Sequence, residues 1–133
     1  MSTHFLEDVF VGQNSEDAIA EAWIALQHAE QRSRSHADNF WSHTELDDLL
    51  DNDPDKGWHV IQLIQAKDSS EKILSNLAAG PIEDLLVRHG VRFIQRIEDR
   101  AKADAQFRQV LSMIWQNAID DAVWKRLCVA RGR

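Results

Sequence analysis

Residues 77–90 read Leu77-Ala78-Ala79-Gly80-Pro81-Ile82-Glu83-Asp84-Leu85-Leu86-Val87-Arg88-His89-Gly90. Glycine reaches the left-handed conformation that closes a helix, and the fixed φ of proline suits the first turn of the next. Gly80–Pro81 is therefore expected to be a hard bend between two packed helices. Ile82, Leu85 and Leu86 supply the second helix with an apolar side, and Gly90 is expected to stop it. Two helix ends so close together predict short helices folded tightly back on one another.

Upstream, helical spacing recurs and alternating β patterns are scarce. Ser15 is a candidate N-cap before Ile19, Ala22, Trp23, Leu26 and Ala29. The polar stretch Ser33 to Trp41 reads as a loop. Ser42 and Glu45 stand in the capping-box relation, which predicts a helix from His43 to about Asp51. Asp53-Pro54 is a second start signal, a capping carboxylate before a first-turn proline. Its helix carries Trp58, Ile61 and Ile64, and Asp68, Ser69 or Ser70 starts the one that runs to Gly80.

Downstream, Val91, Ile94, Ile97 and Ala101 share a face. Asp104 restarts the chain into Phe107, Val110, Leu111, Ile114 and Trp115, and Asp120 or Asn117 caps a last helix packed through Val123, Trp124 and Leu127. The fold class expected is all-α, with seven or eight short antiparallel helices in an irregular bundle or an α-solenoid-like stack. The stack is suggested by Asp53–Gly80 and Pro81–Asp104, each of which reads as helix, turn, helix. An N-terminal arm over 1–14 and a single helical domain over 15–133 complete the expected organisation.

Composition narrows the function classes. The chain has 133 residues, 44% of them hydrophobic, enough for one core without disulfide or metal staples. A single cysteine, Cys128, excludes an internal disulfide and a Cys-rich zinc site. Met1–Phe10 lacks a basic leader and a long apolar run, and no segment has the length to span a bilayer, so a cytoplasmic protein with no membrane partner is expected. A net charge of −7 argues against nucleic acid, whose affinity comes chiefly from Lys and Arg. It suits a basic protein partner or plain solubility.

The sequence resembles a family of small bacterial proteins known only as a domain of unknown function. The likeness rests on Glu21-Ala22-Trp23-Ile24, on Trp58, on the string Ala78-Ala79-Gly80-Pro81-Ile82-Glu83-Asp84-Leu85-Leu86, on His89-Gly90, and on Trp115 and Trp124. It runs from about residue 16 to the end. What it implies is a helical domain without an established activity, and it supplies no catalytic residues. In size and charge such proteins are similar to the antidote proteins of bacterial toxin systems.

Three groups of residues could carry function. Glu83 and Asp84 could act as a general acid or a metal ligand, with His89 completing the site. The structural reading places both carboxylates on orphan N–H groups of a helix start, and His89 at the carbonyl end of its own helix. Arg92, Arg96 and Arg100 recur every fourth residue, so like charges stand in a row that something must offset. The offset is local Asp99 and Glu98, a buried network with the acidic run Glu45–Asp55, or an acidic or phosphate-bearing partner. From His36 to Asp55 there are seven acidic residues and no Lys or Arg. Asp47, Asp48, Asp51, Asp53 and Asp55 lack the glycine and spacing of a calcium loop, so a solvated face or a surface for a basic protein is expected.

The histidines form no metal pattern, the glycines no phosphate loop, and no cofactor is implied. Phe40 and Trp41 lie in a polar stretch and are candidate hot-spot aromatics. The function expected is non-enzymatic binding of a basic protein through Phe40, Trp41, Asp47, Asp48, Asp51 and Asp55. The alternatives are a phosphate- or small-molecule-binding domain using Arg92, Arg96, Arg100 and His89, and a structural subunit of a homodimer.

Overall fold

Six side-chain oxygens decide where helices begin. Ser15, Ser33, Asp53, Ser70, Asp104 and Asp120 each accept a backbone N–H two or three residues ahead, filling a donor that the first turn leaves orphaned. The computed structural model describes residues 14–132, and the expected arm lies outside it except for Asn14. Among the described residues the α-helical segments are α1 (Glu16–His28), α2 (Arg34–Asn39), α3 (Trp41–Asn52) and α4 (Pro54–Lys67), followed by α5 (Glu71–Leu77), α6 (Glu83–Ala103), α7 (Ala105–Leu111) and α8 (Asp121–Ala130). No strand occurs among them, so the all-α expectation holds.

The count of seven or eight separate helices is too high. Phe40 keeps helical angles (φ −62°, ψ −26°) and joins α2 to α3. A π-helical turn, Ala78–Ile82, joins α5 to α6. Eight segments thus form six continuous runs.

The Gly80–Pro81 junction is where the expectation fails most plainly. Gly80 is not left-handed, and the chain does not bend back there. Pro81 lacks an N–H, and its ring would strike the carbonyl four residues earlier in a regular α-helix. The wider π turn, with its bonds one residue longer, accommodates the ring without ending the helix. Gly80 helps because a Cβ before proline is disfavoured in the helical region. Gly90 does not stop its helix either. α6 runs through it, kinked at His89 (φ −139°, ψ 32°), and Gly90 packs against α8, where an added Cβ would meet both Val123 methyls at 3.1 Å. The second unit, Pro81–Asp104, is therefore two helical stretches that meet at the His89 break, without the intervening turn expected at Gly90.

Four smaller corrections follow. Ser33–Trp41 is mostly helix, capped by Ser33, rather than loop. Ser42 caps nothing: it is buried inside α3 and donates to the carbonyl of Asn39 at 2.7 Å. The helix from Asp104 ends at Leu111, and this leaves Trp115 76% exposed although Ile114 is buried. Val91, assigned to the inward face, is 83% exposed because the His89 kink rephases α6.

The core lies where α1 and α3 cross α4 and where α6 lies along α8. Trp58 of α4 meets the edge of Phe107 (centroids 5.9 Å) and Phe93 (6.5 Å), with Ile61, Ile64, Ile73, Leu77 and Leu85 closing around them. Burying each such side chain contributes about 1.5–3 kcal/mol.

Candidate functional site

The face carried by α3 holds most of the candidate residues. At its start Phe40 and Trp41 are 47% and 38% exposed, as a docking surface requires. Phe40 stands between His36 and His43, with ring centroids at 5.9 and 5.4 Å, so an aromatic row marks the α2–α3 junction.

Further along α3 the acidic run is divided. Asp47 pairs with Arg88 of α6 at 2.7 Å, and Arg88 also donates to the Asp47 carbonyl. Asp55, at the start of α4, receives Arg96 at 2.5 Å and Arg92 at 2.7 Å. The Arg96 hydrogen bond, together with Arg92, holds the Asp55 carboxyl below its ordinary value. Asp48 accepts only from Asn52 at 2.8 Å, and among the described residues neither Asp48 nor Asp51 has an ion pair. Asp53 is the N-cap of α4.

The arginine row is thus offset from within. Arg92 and Arg96 converge on one carboxylate and lie over the Phe93 ring at 5.4 and 4.6 Å. Arg100 turns instead to Gln65 (3.2 Å) and Asp104 (3.6 Å), and its Nε is buried without a partner among the described residues. The pairing lies at the surface rather than buried, and the three guanidinium groups do not converge on one concavity.

The Glu83–Asp84–His89 group does not assemble. Glu83 accepts from Asn117 at 2.9 Å, tying α6 to the loop before α8. Neither carboxylate meets a helix start, because the π turn carries the helix through. His89 covers no carbonyl of its own helix: its Nε2 lies 2.8 Å from the Leu50 carbonyl, near the end of α3. That carbonyl is one of the four a helix C-terminus leaves unpaired. Asp84 faces a cavity of about 280 Å³ lined also by Trp23, His43, Leu46 and Gly80. Burial pushes its carboxyl up, against the attraction of Arg88. Sequence reasoning missed this cavity, since its lining comes from α1, α3, α5, the π turn and α6. Only the π turn signalled itself, as Gly80-Pro81.

Among the described residues no three His, Cys, Asp or Glu side chains are placed to hold a metal ion, and no helix is long and apolar enough to cross a membrane. Cys128 is half-buried on α8.

The model of a family of unknown function (DUF6869) matches residues 27–133. The chain belongs to that family. The match takes in α2 to α8, including the π turn and the whole α3 face, while Glu21–Ile24 of α1 precede it. No curated protein and no solved structure matches the chain.

Proposed function

We propose that this chain is a non-enzymatic binding domain whose α2–α3 face docks a basic protein, in the manner of an antidote that neutralises or regulates its partner. The observation that carries the reading is the exposure of Phe40 and Trp41 at the head of a helix whose outer side, from His36 to Asp55, has no Lys or Arg of its own. Exposed aromatics bring large contact area, and Asp48 and Asp51 further along the same helix, without an ion pair among the described residues, would raise the encounter rate with a cation-rich surface. The phosphate-site reading is weaker because Asp55 already occupies Arg92 and Arg96.

A photo-crosslinker at position 41, in the native host, is expected to capture a basic protein that the same group at Val129 of α8 does not. Binding of that purified protein is expected to weaken by roughly tenfold or more in Phe40→Ala/Trp41→Ala. Asp48→Asn/Asp51→Asn is expected to slow association and flatten its salt dependence. Capture of an acidic protein, or equal binding by the aromatic variant, would overturn the reading.

A second reading, the homodimer, draws on Val87 and Val91, exposed one turn apart on α6. Sedimentation at rising concentration tests it: a dimer that Val91→Lys dissolves supports it, and a monomer throughout removes it.

A further inference from the structure

The cavity at the π turn has a lopsided wall. Trp23, Leu46 and Leu50 make its apolar side, and His43, Asp47 and Asp84 its polar side. Gln27 and Asn76 also reach it, but they satisfy each other, Asn76 Nδ2 donating to Gln27 Oε1 at 2.9 Å. Asp47 is matched by Arg88. Asp84 is different: among the described residues nothing hydrogen-bonds or ion-pairs its carboxylate, and the charges around it are Arg88, Asp47, Glu83 and His43. One partly desolvated negative charge is left beside an apolar wall. A donor cation placed there forms a charge-assisted hydrogen bond in a site drier than bulk water.

The volume restricts what fits. About 280 Å³ lies at the lower limit of ligand clefts, which begin near 300 Å³, so the space suits one long side chain better than a nucleotide. The surroundings point the same way. Gln27 and His43 also border the depression that holds His36, Phe40 and Lys72, and Asp47 borders the one that holds Asp48, Asp51 and its own partner Arg88. The cavity thus lies along α3 between two neighbouring depressions that share its rim residues, one with the aromatic rings and one with the carboxylates. From Phe40 to Asp51 the helix rises about 16 Å, the length of roughly five residues of extended chain.

We infer that the cavity between α1, α3 and the π turn is a socket for one arginine or lysine side chain of the basic partner, its cationic head on Asp84 and its alkyl stem along Leu46 and Leu50. The inference rests on the docking face proposed above for its source of the side chain, though not for the chemistry recognised. A free alkyl guanidine would present the same group, so the test separates the two.

The full chain, labelled with nitrogen-15, is titrated with agmatine, with the blocked peptide Ala-Arg-Ala, and with its citrulline counterpart. Agmatine and the arginine peptide are expected to shift the amides of Gln27, His43, Gly80 and Asp84, and the neutral citrulline peptide is not. Asp84→Asn is expected to weaken both ligands by about tenfold, the worth of a hydrogen bond to a charged group, with no fall in melting temperature. The protein captured at position 41 is expected to lose a similar factor. Equal shifts with citrulline, or unchanged binding by Asp84→Asn, would overturn the socket. If the partner depends on Phe40 and Trp41 but not on Asp84, the docking face stands and the socket is wrong. If agmatine depends on Asp84 and the partner depends on neither site, the cavity takes a free cation and the docking face is wrong.

Discussion

Gly57 and Gly80 are both helical glycines, and neither is left-handed. A Cβ on Gly57 would fall 2.9 Å from Cδ2 of Leu50, itself fully buried, and 3.4 Å from the Leu50 amide nitrogen, so α3 and α4 touch through that position. At Gly80 a Cβ meets no atom of the rest of the fold within 4 Å. Gly57→Val is expected to cost about 2 kcal/mol by overpacking. Gly80→Ala is expected to stay within about 0.5 kcal/mol, its helix-propensity gain opposed by the contact with Pro81. Urea denaturation of the two variants tests the contrast, and equal losses would refute it. His89→Ala is expected to cost about 1 kcal/mol by freeing the Leu50 carbonyl, read the same way. The capping residues were legible because a cap and its N–H lie within three positions. The role of His89 was not, because its acceptor lies 39 residues away.

At the level of elements, the π turn amounts to one extra residue in a helix that otherwise runs from Glu71 to the kink at His89. Removing exposed Ala79 together with Pro81→Ala converts it to an ordinary turn and keeps the apolar faces of α5 and α6 in phase. That variant is expected to fold and to melt cooperatively. Deleting Gln95 from the middle of α6 instead rotates every later residue by about 100° and is expected to abolish cooperative melting, because α6 then presents the wrong face to α8. Circular dichroism on heating separates the two, and equal behaviour would show that the extra residue has no phasing role. The periodicity of α4 was readable in Trp58, Ile61 and Ile64, all buried. The exposure of Val91 and Trp115 was not, since each follows an interruption, at His89 or after Leu111, that periodic spacing does not announce.

Across the whole molecule, stability at acid pH depends on carboxylates held by partners. Asp68, through the Ser70 backbone N–H and then His28, and Glu98, through Arg126, lie below their ordinary values of 3.8 and 4.5, as does Asp55. In Asp104 burial opposes the shift, but the N–H groups of Phe107 and Gln106, with Gln65 and Arg100, outweigh it. A lowered folded-state value means a contribution that is complete above the unfolded value and is lost as pH falls through the folded one. Stability is therefore expected to hold from pH 7 down to about 5 and to fall progressively below about 4, measured by urea denaturation across that range. Asp84 has the opposite sign. Its raised value makes ionisation unfavourable to the fold, so Asp84→Asn is expected to stabilise at pH 7, with the gain shrinking as the wild-type carboxyl protonates. A gain that persisted unchanged below pH 4 would contradict the burial of that charge.

By itself the sequence determined the helical class, five of the six capping starts (two of them as one of several candidates, with Ser33 missed) and most of the core stripes, because those depend on atoms a few residues apart. Tertiary structure decided that the helix continues through Gly80 and Pro81, that Asp47 and Asp55 meet the arginines of α6 and that five chain segments line the cavity beside Asp84. The ion pairs join side chains about 40 residues apart in the chain, and no local spacing encodes which of them will meet.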